Sequence, residues 1–228
     1  MFESFGSYLV YFAILMIIPL WAQARVKSTY SKFSKVATSS HMSGVEVARK
    51  ILDDNGLYHV KIEETKGILS DHYDPRSQVI RLSSNNYHGH SMASSAVAAH
   101  EVGHAIQHAE GYAFLKFRTA LVPVASLGSN LSFFLILAGI LLNMANLFLF
   151  GIIFMSAAVL FQLVTLPVEF DASNRAMGQL VSTGIIRNNE ERDTRKVLNA
   201  AAMTYVAAAL VAVAELIRFI LMFLASNE

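Results

Sequence analysis

Four apolar runs constrain this chain more than any other feature. Residues 121–142 and 147–166 contain no charged side chain and are separated only by Asn143, Met144, Ala145 and Asn146. At about 1.5 Å of rise per residue, each is long enough for a helix to cross a hydrocarbon layer about 30 Å thick. The polar break between them predicts a tight turn, so the pair reads as a transmembrane helical hairpin. Residues 8–24 form a third uncharged run, just long enough to span. Residues 198–224 form a fourth, interrupted only by Glu215 and Arg218.

Composition agrees with this pattern. Hydrophobic residues are 54% of the 228 and charged residues only 15%, with a mean hydropathy of +0.43. Soluble domains carry about 25% charged residues. A net charge of +1 gives no electrostatic reason to expect a nucleic-acid partner. The chain has no cysteine, which excludes thiolate metal sites, cysteine nucleophiles and disulfides. The 8–24 run resembles a signal peptide only in part. Glu3, not a basic residue, precedes it, and its apolar stretch is long and ends near Trp21. A retained membrane anchor is the better reading.

Lysine and arginine set the expected orientation. Twelve lie between Arg25 and Arg118, five between Arg175 and Lys196, and one, Arg218, inside the fourth run. Positive charge favours the cytoplasmic side, so both long polar segments, 25–118 and 167–197, are expected there. Four crossings then leave both termini outside. Arg25, Lys27, Lys32 and Lys35 follow the first span directly and are expected against the anionic headgroups of the bilayer. Glu215 and Arg218, three residues apart, can pair along one helix, with Arg218 snorkelling near the outer face; contact with a partner membrane protein is the alternative.

The longer polar segment reads as a small α+β layer. Ser43 with Glu46 makes a capping box that opens a helix, and Gly56 stops it, with Val45, Ala48, Ile51 and Leu52 on one face. Strand-like runs follow at 59–64, 67–70 and 78–83, the last two joined by a turn at 71–76. An Ala-rich helix is predicted over 92–109.

That last helix carries the chemistry. His100, Glu101 and His104 form an H-E-x-x-H pattern. Positions i and i+4 stand one above the other on a helix, so two imidazoles can grip one Zn²⁺, while Glu101 can reach a metal-activated water without ligating. The helix around them is Ala-rich, not solvated. His108 shares the face but lies about 12 Å along the axis from His100, too far to share an ion. A third ligand must come from elsewhere. Glu169, 65 residues beyond His104 and just after Pro167, is the candidate, because a carboxylate at that depth is costly without a cation. Asp171 is the weaker alternative, or an outer partner for a ligating imidazole.

The stretches "LSDHYDPRSQVIRLS", "YHGHSMASSAVAAHEVGHAIQHA" and "LPVEFDASNRA" closely resemble the YugP-type neutral zinc metallopeptidases of bacterial membranes. They are similar, more distantly, to HtpX-type and CAAX prenyl proteases, which are membrane gluzincins. The resemblance covers about residues 45–205. It implies zinc held by His100, His104 and Glu169, with Glu101 as general base, in a bacterial inner membrane. In the HtpX-type pattern an aspartate stands four positions after the glutamate; here that position is Ser173, and Asp171 lies two positions on. The expected architecture is four transmembrane helices plus a small cytoplasmic α+β, zincin-like domain. The expected activity is hydrolysis of membrane or membrane-proximal polypeptides. The strand around 78–83 is a candidate for pairing with an extended substrate. Tyr73, Tyr87, His88, His90 and Arg175 are candidate oxyanion donors. The competing reading is a non-catalytic membrane scaffold with a structural zinc, closed by His108 or His90.

Overall fold

The structure is a computed structural model and describes residues 5–225. In chain order its elements are α1 (Phe5–Phe33), α2 (Gly44–Asp54), β1 (Lys61–Thr65), β2 (His72–Asp74), β3 (Val79–Ser83), α3 (Ser84–Tyr87), α4 (Met92–Ala109), α5 (Ala113–Leu141), α6 (Ala145–Ser182) and α7 (Asn188–Ala225). The fold is mostly helical with one small sheet. Among the described residues, α1, α5, α6 and α7 are long and apolar enough to cross a membrane. The termini on which the expected outside location depends lie beyond the described residues.

Each apolar run forms part of a longer helix that extends beyond it into polar sequence on at least one side. Hydrocarbon offers backbone N–H and C=O groups no partner, so a spanning segment satisfies them internally as a helix. Nothing in the polar flanks stops that helix at the apolar boundary. Thus α6 continues through Pro167 to Ser182, and α7 begins ten residues before Leu198. The α5–α6 turn closes at residues 142–144, where Asn143 takes a left-handed conformation at φ 52°.

The chain divides into two compact units. One comprises the chain up to Ala22, Ala113–Pro167 and the chain from Thr204. In it α5 and α6 pack closely: a Cβ on Gly128 would stand 2.6 Å from the Phe154 carbonyl oxygen. Small residues at such contacts let backbones approach where no hydrophobic effect drives association. Ile136, Phe148 and Ile152 form its buried cluster, with Leu216 and Phe219 packed on them.

Arg218 is 7% exposed. Its Nε donates to Glu215 Oε2 at 3.1 Å, and its guanidinium lies 4.1 Å from the centre of the Phe219 ring and 5.7 Å from that of Tyr11. The pairing expected along the helix is present, and the cation is buried among aromatic rings. Removing one partner of a buried pair leaves an uncompensated charge, at a cost of about 3–5 kcal/mol. Glu215→Ala is therefore expected to lower the melting temperature of the detergent-solubilised protein sharply. The double replacement Glu215→Ala/Arg218→Met should recover most of that loss, and unchanged melting of the single variant would contradict the pairing.

The other unit comprises Gln23–Tyr112 and Val168–Met203. Its sheet has the order β1-β3-β2, with β1 parallel and β2 antiparallel to β3. Against one face lie Val47, Ala48, Ile51 and Leu52 of α2, all fully buried, together with α4 and Leu180. Val47, not Val45, belongs to the buried face of α2. Its capping box is formed by Glu46, whose Oε2 accepts from Ser43 N and Oγ, both at 2.7 Å.

Two strand expectations are corrected. Residues 67–70 are not a strand: Gly67 and Leu69 take positive φ values of 112° and 54°. The middle run is β2, at 72–74, inside the segment read as a turn. The turn lies later, where Asp74 accepts from Arg76 N at 2.9 Å and Ser77 Oγ at 2.6 Å. Second, β3 is the central strand, paired on both sides over residues 79–81. Beyond β2, Asp71 Oδ1 accepts from Ser83 N at 2.7 Å. Strand addition of a substrate onto residues 78–83 is therefore blocked; the free edges belong to β1 and β2.

Candidate metal centre

The centre is built on α4. Ser91 caps this helix, its Oγ accepting from Ser94 N at 3.1 Å. Ala93, Ala96, Ala99 and Val102 are essentially inaccessible, and the polar Glu101 and Gln107 are buried too. A helix buried nearly all round must find an internal partner for every polar side chain it carries.

The His100 and His104 rings stand one turn apart with centroids 4.8 Å from each other. Both turn Nε2 toward α6. There Glu169, only 2% exposed, places Oε2 3.3 Å from His100 Nε2 and 3.7 Å from His104 Nε2. One donor atom from each residue lies within 4.8 Å of the others. Zinc bonds of 2.0–2.1 Å in a tetrahedron separate neighbouring ligand atoms by about 3.3–3.4 Å. Two of the three pairs, His100–Glu169 at 3.3 Å and His104–Glu169 at 3.7 Å, already stand near that spacing. Two imidazoles and one carboxylate are also a donor set suited to zinc, leaving one position open.

Close contact between α4 and α6 makes this possible. A Cβ on Gly103 would lie 2.5 Å from the Ala172 carbonyl oxygen, so only glycine permits the approach. Four residues after Glu169, Ser173 Oγ lies 3.2 Å from His100 Nδ1. Burial of the Glu169 carboxylate is unfavourable without a positive partner. The electrostatics of His104 reflect this: burial works against its protonation, yet the hydrogen bond and charge of Glu169, joined by the Glu101 charge and the Gln107 hydrogen bond, together raise its pKa. A divalent cation would meet the same demand for positive charge. Burial pushes the Glu101 carboxyl above its usual range, with the imidazoles of His100 and His104 opposing and Asp71 and Glu169 reinforcing the rise. A carboxyl raised toward neutrality can both accept and return a proton.

The remaining residues singled out in the sequence lie as follows. His108 is outside the three-residue group, and its Nδ1 is 2.8 Å from Tyr73 Oη. Burial, then the nearby Asp74, pushes the Tyr73 phenol up to about 12, so it stays protonated. Asp171 Oδ2 accepts from Gln107 Nε2 at 2.7 Å and from Arg175 Nε at 2.6 Å, and so reaches His104 only through Gln107. Arg175 also pairs with Glu110. His90 Nδ1 lies 2.8 Å from the His41 carbonyl oxygen. His88 stacks edge-on against Tyr87 and pairs with Glu64. Gln107 escaped the sequence reading. Its one signal was a polar side chain three residues after His104 on a helix otherwise apolar enough to be buried.

A buried helix bearing two imidazoles, joined by a glutamate from a second helix, in a chain with four potential membrane spans, has the features of a membrane metallohydrolase. The chain belongs to the family described as "Putative neutral zinc metallopeptidase", whose model matches residues 8–224. It is also 54% identical over 211 residues to the "Putative membrane protease YugP" of Bacillus subtilis (strain 168), covering 92% of this chain and 94% of that protein. No solved structure matches the chain significantly.

Proposed function

We propose that this chain is an integral membrane zinc endopeptidase that cleaves membrane or membrane-proximal polypeptides at the cytoplasmic face. The observation that carries this reading is the meeting of His100 Nε2, His104 Nε2 and a Glu169 oxygen from two helices, all three within 4.8 Å. In this role His100, His104 and Glu169 hold the ion and Glu101 is the general base. When bound, zinc supplies Lewis acidity that polarises a scissile carbonyl and acidifies water. Glu101 takes a proton from the attacking water and returns it to the amine nitrogen as the peptide C–N bond breaks. The polar regions 25–118 and 167–197 form the cytoplasmic, zincin-like part, a location supported by their seventeen lysines and arginines.

The scaffold reading, with a purely structural zinc, needs a fourth protein donor. Neither His90 nor His108 belongs to the three-residue group, and each has its Nδ1 engaged elsewhere. The two readings separate in one assay. Detergent-purified protein is given casein and a membrane-anchored polypeptide, with and without a zinc chelator. Cleavage that stops on chelation and returns with added zinc is expected. One tightly held zinc per chain with no cleavage of either polypeptide would favour the scaffold.

A further inference from the structure

Gln107 is the most buried polar side chain next to the metal centre, with no exposed surface. Its amide nitrogen donates to the Val168 carbonyl oxygen at 2.8 Å and to Asp171 Oδ2 at 2.7 Å. A carbonyl and a carboxylate only accept, so the amide has a single possible orientation. Its Oε1, 3.0 Å from His104 Nδ1, must then accept from that nitrogen. A proton on Nδ1 leaves the lone pair of the neutral ring on Nε2, the atom facing Glu169. Val168 is the residue immediately before Glu169 in α6. One amide thus touches both arms of the site: its oxygen orders the ring of His104, and its nitrogen holds the backbone that presents Glu169.

The chain of bonds continues outward. Asp171 Oδ2 also accepts from Arg175 Nε at 2.6 Å, and Arg175 Nη1 donates to Glu110 Oε2 at 2.7 Å, at the C-terminal end of α4. Every bond has a fixed direction, because the guanidinium only donates and the carboxylate only accepts. We infer that Gln107, held by Asp171 and Arg175, is a positioning residue that sets the tautomer of His104 and the seat of Glu169 for metal binding. His100 is served separately by Ser173. The inference rests on the metal reading of the site above.

The test measures zinc affinity by competition with a chromophoric chelator, and melting of the zinc-free protein, in detergent. Gln107→Met keeps length and volume but removes both hydrogen-bonding ends. Asp171→Ala removes the acceptor that orients the amide, while Asp171→Asn can still accept through its oxygen. Loss of an outer partner typically weakens metal binding by about 10–100-fold. That loss is expected for Gln107→Met and Asp171→Ala, with substantial recovery in Asp171→Asn. The order Ala below Asn in affinity, with matching zinc-free melting temperatures, is a signature that a packing defect would not produce. If Gln107→Met does not fold, the Asp171 pair decides the matter alone. Wild-type affinity in Asp171→Ala overturns the inference while leaving the site intact. Absence of stoichiometric zinc from the wild-type protein, or wild-type zinc affinity in the control His104→Ala, overturns both.

Discussion

Glu101→Gln is expected to lower peptide-bond cleavage by about 10²–10⁴-fold, the range for removing a general base. The amide keeps the shape of the carboxyl but cannot take a proton. Zinc content should stay at that of the wild type, because Glu101 is not one of the three residues whose donor atoms converge. Its side chain is 7% exposed, and an uncharged amide is easier to bury than a carboxylate, so the variant should be no less stable. Metal analysis beside single-turnover cleavage of one substrate checks both halves. Wild-type turnover in a zinc-loaded Glu101→Gln protein would remove Glu101 from the proposed mechanism.

Glu169→Ala has the opposite profile. It deletes the one anionic donor and leaves two imidazoles on a single helix, which cannot enclose an ion. Zinc affinity is expected to fall by more than about 100-fold, beyond the loss typical of an outer partner, and activity should disappear with the metal. His108→Ala is the informative contrast. His108 shares the helical face of His100 and His104, yet it meets Tyr73 and not the three-residue group. Zinc should remain in that variant. A result in which His108→Ala loses zinc and Glu169→Ala keeps it would require a ligand set other than His100, His104 and Glu169.

Much of this follows from local rules. The four potential spans are visible because an apolar run of about 20 residues has few places to go but into lipid. The helix 92–109 and the facing of His100 and His104 follow from a 3.6-residue period that needs no tertiary contact. The short strand β2 shows where such rules fail. Three residues of extended chain have little propensity of their own, and here their pairing with residues 79–81 defines them. Hydropathy likewise marked membrane depth and not helix length, so the polar ends of α6 and α7 were read as a separate segment.

The sequence alone determined which side chains are available to hold a metal and that two of them stand on one helical face, because spacing along a helix is a property of the backbone. Tertiary structure decided the rest. Glu169 comes to the imidazoles only because Gly103 lets α6 approach α4, a contact between residues 69 positions apart. Gln107, and not Asp171 directly, meets His104 because the hydrogen-bonding directions of an amide are fixed by acceptors on another helix. Such directions depend on partners distant along the chain, and no local pattern encodes them.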